Sequence, residues 1–149
     1  MRSCLENALY GLYLAQNPES RETWLRRHDS DADKKKVKSE FKIGTFLELA
    51  KTVDPSEGKV AATLYERTID YGAHPNERAL MQSLQIKHEA DIIEFKTTYL
   101  DGDSDQLRFL LKTLAQVGVC TLSLFRVTYR ERFDILGVTA SLDHIKKGL

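Results

Sequence analysis

Apolar positions recur at helical spacing from the start of the chain. Leu5, Leu9 and Leu12 lie four and three residues apart within segment 3–16, a pattern typical of an amphipathic helix. No capping residue precedes this helix, which leaves two interpretations open. Either a longer form of the protein has an earlier helix, or the first helix is covered by the surface of a neighbouring molecule.

The pattern continues with two more helices. Asn17-Pro18-Glu19 supplies a side-chain cap, a first-turn proline and an acidic residue, so a second helix is predicted over 18–28. Its expected core residues are Trp24 and Leu25. A long third helix is predicted over 30–53, because acidic residues precede lysines and apolar residues follow at helical spacing.

A fourth helix is predicted from Pro55 to Gly72. Asp54 and Pro55 end the third helix and begin this one, because proline is tolerated in the first turn of a helix but not in its interior. Val60 and Leu64 share its apolar face at an interval of four residues. Glycine is common immediately after a helix terminus, which places the end at Gly72.

The period of the pattern changes in segment 84–100. Ile93, Phe95 and Thr97 alternate with charged or polar residues, and Leu84 and Ile86 alternate in the same way, so a small β-hairpin is predicted near residues 84–100. A continued helix stays open as the alternative, because Glu and Lys are good helix formers and Glu-Ala-Asp is a poor tight turn.

The longest helix is predicted over 105–132, apolar all round in its middle, with a last short helix over 139–147. Arg108 and Lys112 leave too few uncharged residues for this segment to cross a bilayer, so it is interpreted as a buried core helix. The predicted fold is therefore a mainly α, single-domain bundle of five or six helices spanning 1–149, with the small hairpin inserted.

The charge balance and the cysteine content limit the kinds of partner and compartment that the chain is expected to have. Twenty-two basic residues balance 22 acidic ones, so the net charge does not indicate a nucleic acid partner or a membrane surface. A net charge of zero is still compatible with a local basic patch. Cys4 and Cys120 lie in apolar helical patterns and suggest no disulfide. Without the pattern of a signal peptide at its start, the chain is expected in the cytoplasm.

Neither a metal nor a cofactor is expected. The acidic runs HDSDAD and DGDSD have the spacing of calcium loops, but the sixth position of each lacks the glycine that such loops need, so they are interpreted as helix caps. The four histidines show no pair at zinc-binding spacing. No nucleophile elbow and no phosphate-binding glycine loop is present.

Arginine and histidine remain as candidate chemistry. In RTIDYGAH, Arg67 lies seven residues before His74, and this spacing resembles the arginine–histidine motif of HEPN ribonucleases, which are small helical proteins. The resemblance implies cleavage of an RNA phosphodiester, with Arg67 stabilising charge and His74 moving protons. The chain departs from that motif at Thr68, where the family favours Asn, Asp or His.

A second resemblance covers most of the first 80 residues. The segments LENALYGLYL, NPESRETWLRRH and YERTIDYGAHPNERAL are similar to uncharacterised bacterial helical proteins with an HPN turn. That resemblance implies a helical fold without implying an activity. The matching residues are Glu6, Trp24, Arg27, Tyr65, Gly72, His74, Pro75 and Asn76, from which Glu6, Arg27, Tyr65 and Asn76 are selected as a supporting polar cluster.

These residues also have structural interpretations. Pro75 excludes His74 from the α region, and Asn76 can cap a following helix. Glu6 could form a buried ion pair with Arg27 or Arg67. The aromatic residues Tyr10, Tyr13, Trp24, Phe41, Phe46 and Tyr65 are expected as core in preference to a ligand site.

The leading functional hypothesis is a bacterial cytoplasmic module without catalysis, acting as a homo-oligomer or through a protein partner. The alternative is a HEPN-type ribonuclease, or a degenerate relative of one, that uses Arg67 and His74.

Overall fold

The computed structural model describes residues 1–73, 77, 81, 84–89, 91–97, 102 and 104–149, with the backbone alone at 72 and 73. Within these residues the chain is mainly α with a small antiparallel hairpin, which confirms the predicted fold class. The elements are α1 (Arg2–Gln16), α2 (Pro18–Leu25), α3 (Asp31–Glu40), α4 (Ile43–Val53), α5 (Pro55–Thr68), a π-helical turn (Ile69–Ala73), β1 (Leu84–Glu89), β2 (Ile92–Thr97), α6 (Asp105–Thr128), α7 (Arg130–Ile135) and α8 (Val138–Lys146).

The core is built around α1. Its predicted stripe of Leu5, Leu9 and Leu12 is fully buried, together with Ala8, and it packs against α4, α5 and α6. Met1 precedes the helix and provides no side-chain cap. Because helices of the same chain cover the apolar stripe, α1 needs no neighbouring molecule to bury it.

An aromatic cluster fills the space between α1, α2 and α4. The Tyr10 ring lies 4.6 Å from the Phe46 ring and 5.4 Å from the Trp24 ring, measured between centroids. Phe41 completes the cluster, with its centroid 5.1 Å from that of Trp24. These close contacts leave the rings as core, in agreement with the sequence interpretation.

The predicted single helix over 30–53 is wrong, because the chain leaves the helix at Phe41 and restarts at Ile43. Phe41 is buried in the aromatic cluster, and the turn directs Phe46 and Ala50 of α4 into the core. The preceding α3 has no buried residue and begins on a Ser30 cap whose side chain accepts a hydrogen bond from the Asp33 amide. Burial of the aromatic rings in the core therefore outweighs the backbone hydrogen bonds that an unbroken helix would make.

Other boundaries also differ from the predictions. The second helix ends at Leu25, and Leu25 is 67% exposed, so its assignment to the core is wrong. The fourth helix is α-helical only to Thr68 and continues as the π-helical turn. The predicted helix over 105–132 ends at Thr128, and α7 follows after Tyr129.

The hairpin forms where the alternating pattern predicted it, and the helical alternative is wrong for β1 and β2. The strands pair antiparallel, with Ile86 opposite Phe95 and His88 opposite Ile93. Residues 90 and 98–100 of the predicted segment lie outside the described residues. None of the described helices packs extensively against the hairpin, so its apolar side is exposed to solvent.

The long helix α6 is only partly buried. By length and composition it is apolar enough to cross a membrane. Val117, Cys120 and Leu124 nevertheless pack into the bundle against α1 and α5, as the core-helix interpretation expected. The expectation of burial on every side is wrong, because several leucines of α6 face solvent.

Candidate functional site

A polar cluster joins the start of α1 to α5. Arg2 Nε donates a hydrogen bond to Glu6 Oε1 at 2.9 Å, and Arg2 Nη2 donates to the Tyr65 hydroxyl at 3.0 Å. The Tyr65 hydroxyl in turn donates to Glu6 Oε1 at 3.4 Å. The hydrogen bond to Glu6 raises the pKa of Arg2. The three side chains satisfy one another and tie two core helices together.

Only part of the predicted supporting cluster is brought together. Glu6 and Tyr65 meet, but the ion-pair partner of Glu6 is Arg2, where the sequence interpretation considered Arg27 or Arg67. Arg27 lies after α2, where its Nη1 donates to the Trp24 carbonyl and its guanidinium lies 4.7 Å above the Trp24 ring. The sequence did carry a signal for Arg2 as the partner of Glu6, because side chains four residues apart are neighbours on one face of a helix.

Arg67 occupies the last turn of α5 and faces α6. Its Nη1 donates to Gln116 Oε1 at 2.8 Å, and its guanidinium carbon lies 5.4 Å from the centroid of the Phe109 ring. Of the other predicted site residues, His74 and Asn76 lie outside the described residues. The Arg67–His74 pair and the contribution of Asn76 therefore stay predictions.

Two pockets meet at Arg67. The larger, of about 520 Å³, lies between α5, α6 and the end of α8. Its wall includes Glu57, Lys59, Val60, Cys120 and Lys146. Lys146 and Glu57 form an ion pair across it. The smaller pocket, of about 250 Å³, lies on the other side of Arg67, against Arg2, Tyr71 and Thr113.

Cys120 closes the floor of the larger pocket. Burial raises the pKa of its thiol to about 12, and the negative charge of Glu57 acts in the same direction, while Lys146 opposes it. The side chain is therefore a neutral thiol at neutral pH and a poor nucleophile. Cys120 therefore lacks the lowered pKa that activates reactive cysteines.

A second surface lies on the side of α6 away from the core. Leu111 and Leu114 are 56% and 52% exposed. At about 100° per residue, they share one side of the helix with Leu107, Ala115, Gly118 and Leu122. These six residues are called the outer face of α6. The spacing of apolar residues alone does not show which side of α6 is buried and which is exposed, because both sides are apolar.

The acidic run HDSDAD acts as a helix cap. The Ser30 side chain accepts from the Asp33 amide, and Lys34 pairs with Asp31 at 3.0 Å in the first turn of α3. No group of three or more His, Cys, Asp or Glu side chains within the described ranges could hold a metal ion.

Comparisons with protein-family models, curated proteins and solved structures give no match. The resemblances to HEPN ribonucleases and to bacterial proteins with an HPN turn therefore stay predictions.

Proposed function

We propose that the protein is a non-catalytic helical module that forms a homodimer through the outer face of α6. The observation that carries this proposal is the row of solvent-exposed leucines on the side of α6 away from its buried stripe. The bacterial assignment extends the sequence resemblance, and a cytoplasmic location is proposed with it.

The outer face has the dimensions of a helix–helix contact. From Leu107 to Leu122 it extends over roughly 22 Å at the helical rise per residue. A buried leucine contributes on the order of 2 kcal/mol relative to an exposed one, so covering several of them is favourable. Contiguous apolar surface of this kind is typical of an interaction site.

The order of residues on this face favours a second copy as the occupant. In an antiparallel pair with its two-fold axis near the middle of α6, Leu111 of one copy faces Leu122 of the other, and Ala115 faces Gly118. Such a surface is self-complementary, as an isologous dimer requires. A Cβ added at Gly118 would meet no described atom within 4 Å beyond the backbone of its own helix, so packing among the described residues does not require glycine there.

The hairpin provides a second apolar surface. Ile86 and Phe95 form a cross-strand pair on the same side as Ile93, and all three are exposed. An isolated two-stranded hairpin is marginally stable in water, so contact with a partner would stabilise it. This observation supports a binding role without specifying the occupant.

The dimer is tested by size-exclusion chromatography with light scattering. We expect wild-type protein to have twice the mass of the chain, and Leu111→Glu or Leu122→Glu to be monomeric because a buried unpaired carboxylate disfavours the contact. The matched control is Leu25→Glu, which places the same charge at an exposed leucine of α2 and should stay dimeric. A monomeric wild-type protein at high concentration would contradict the proposal.

Cross-linking tests the orientation of the two helices. A Cys4→Ser protein that also carries Leu111→Cys and Leu122→Cys should form an intermolecular disulfide on mild oxidation, because the antiparallel pairing places these positions together. The variant with only Leu107→Cys in the same background is the control and should cross-link poorly. Equal cross-linking of the two proteins would rule out this pairing.

A second candidate is cleavage of RNA by Arg67 and His74. What favours it is the position of Arg67 in the wall of two pockets, with the neutral amide of Gln116 as the acceptor of its Nη1 group. The test compares wild-type protein with His74→Ala and Arg67→Gln on mixed RNA. We expect the wild-type protein to cleave RNA and both variants to cleave it at least 100-fold more slowly. Equal cleavage by all three proteins would end this candidate.

A further inference from the structure

We infer that the pocket between α5, α6 and α8 binds a small amphipathic organic anion, with its acidic head at Arg67 and its apolar body against Val60 and Leu64. This inference concerns a different surface from the outer face of α6. It therefore holds or fails independently of the dimer.

The charges around the pocket favour an anion. Lys59, Arg67 and Lys146 are cationic, and Glu57 is the carboxylate among the described lining side chains. Glu57 is already paired with Lys146 and is only 13% exposed, so little of its charge faces the cavity. With Lys146 and Glu57 offsetting each other, Lys59 and Arg67 remain as the cationic side chains that attract an acidic ligand.

Arg67 is held in position for the acidic head. Its Nη1 donates to Gln116 Oε1, and the Phe109 ring lies beneath its guanidinium. Gln116 is in turn held by a 3.4 Å hydrogen bond from Nε2 to the Leu149 carbonyl. A guanidinium has five N–H donors in a fixed plane, and the Gln116 contact uses one of them. Within the described part of the chain, no carboxylate forms an ion pair with Arg67, so the remaining donors can bind a carboxylate in a bidentate manner.

The rest of the pocket suits an apolar body. Val60 is exposed on its rim, and Leu64, Val119 and the neutral thiol of Cys120 form its interior. The volume of about 520 Å³ lies within the range of small-molecule sites, roughly 300–1,000 Å³. An inorganic anion would leave this apolar surface uncovered, which favours an organic acid over free phosphate.

The test is isothermal titration calorimetry with three probes on the whole chain. Octanoate carries the acidic head and an apolar tail, octylammonium carries the same tail with a positive head, and inorganic phosphate carries charge without a tail. We expect saturable octanoate binding at least ten-fold tighter than that of either other probe. Absence of saturable octanoate binding, or equal affinity for octanoate and octylammonium, would overturn the inference.

Two variants address the head and the body separately. Arg67→Gln should weaken octanoate binding ten-fold or more, because a hydrogen bond to a charged group is lost. Val60→Trp should also weaken it, because the larger ring occupies the rim while the exposed position tolerates it. Thermal unfolding of both variants establishes that they are folded.

Arg126→Gln is the matched control for charge. Arg126 lies outside this pocket and pairs with Asp143 at 3.1 Å, so its substitution removes one positive charge without altering the pocket. Octanoate affinity should stay within two-fold of wild type. If Arg126→Gln and Arg67→Gln weaken binding equally, the effect is one of net charge and the site assignment is wrong.

Discussion

Gly58 lies where α5 crosses α4, and its missing side chain permits that crossing. A Cβ at this position would overlap the backbone of Lys51 and lie 2.6 Å from the Ala50 carbonyl carbon. The atoms in the way belong to a packed backbone, so they cannot move aside as the end of a flexible side chain would. Gly58 therefore sets the distance between the two helices.

Gly58→Ala is expected to lower the free energy of unfolding by about 1–3 kcal/mol or more, because the helices must separate to admit the methyl group. The control is Gly44→Ala in α4, where a Cβ would meet no atom of the described residues within 4 Å beyond the backbone of its own helix. That substitution should leave stability unchanged or raise it by up to about 1 kcal/mol through helix propensity. Urea unfolding measures both, and a neutral Gly58→Ala would show that α4 and α5 pack less closely.

The buried thiol of Cys120 makes the free energy of unfolding depend on pH in the alkaline range. Burial raises the pKa of its thiol from 9.0 to about 12. Between these values the unfolded chain has lost the proton while the folded chain keeps it. The folded state then binds more protons, so its stability falls as pH rises from about 9 to about 12.

The free energy of unfolding of the wild-type protein should therefore fall by about 1 kcal/mol more between pH 8 and pH 10 than that of Cys120→Ala. Urea unfolding at the two pH values gives the difference, in which other titrating groups cancel. Cys4→Ser is the control, since Cys4 is exposed and should leave the wild-type dependence intact. Equal losses in wild type and Cys120→Ala would contradict the raised pKa.

The start of α5 shows how a helix end is determined locally. Asp54 Oδ1 accepts hydrogen bonds from the Ser56 and Glu57 amides at 3.1 and 3.0 Å, and Pro55 occupies the first turn. These contacts satisfy amides that would otherwise lack a partner within the helix. The cap also positions Glu57 to pair with Lys146, so the first turn of α5 helps to hold the wall of the pocket between α5, α6 and α8 in place.

Asp54→Ala should destabilise the protein by about 1 kcal/mol, because both amide hydrogen bonds lose their acceptor. Asp54→Asn keeps an oxygen at the same place and should cost only a few tenths of that amount. The measurement is the free energy of unfolding in urea, with amide hydrogen exchange at Ser56 and Glu57 as a local readout. Unchanged exchange in Asp54→Ala would show that the cap does not protect α5.

For the molecule as a whole, the proposed dimer links stability to concentration. The bundle buries the stripe of α1 completely, yet it leaves the outer face of α6 and the apolar side of the hairpin exposed. If a second copy covers α6, association stabilises the folded state by mass action.

The unfolding temperature of the wild-type protein should therefore rise when protein concentration is raised about 100-fold, whereas that of Leu111→Glu should not. Scanning calorimetry across that range measures both midpoints. Leu25→Glu serves again as the control and should retain the concentration dependence. A wild-type midpoint independent of concentration would contradict self-association under these conditions.

Local signals in the sequence were enough for much of the fold. The apolar spacing of Leu5, Leu9 and Leu12 predicted the stripe that forms the centre of the core, and the alternation around Ile93 and Phe95 predicted the hairpin. Pro18 and Pro55 located the starts of α2 and α5. The predicted side-chain cap is confirmed for Asp54 of α5 and is wrong for Asn17 of α2, whose side-chain amide donates to the Tyr13 carbonyl instead. Each of these signals depends on neighbours within a few residues, so no knowledge of the rest of the chain was needed.

The candidate site was less accessible to sequence reasoning. Arg67 was selected, but its contacts with Gln116 and Phe109 join residues more than 40 positions apart and have no local signature. Arg2 was missed although it joins Glu6 to Tyr65. Spacing on one helix indicates which side chains are neighbours there, but it does not indicate which other helix they will meet.

By itself the sequence determined the helical class, the stripe of α1, the side-chain caps of α3 and α5, and the hairpin, because these depend on short-range periodicity and backbone chemistry. Tertiary structure alone decided the break at Phe41, the contact of Arg2 and Glu6 with Tyr65, and which apolar side of α6 faces solvent. The physical reason is that burial is a property of the whole packed bundle. Two equally apolar sides of one helix differ only in what the rest of the chain places against them.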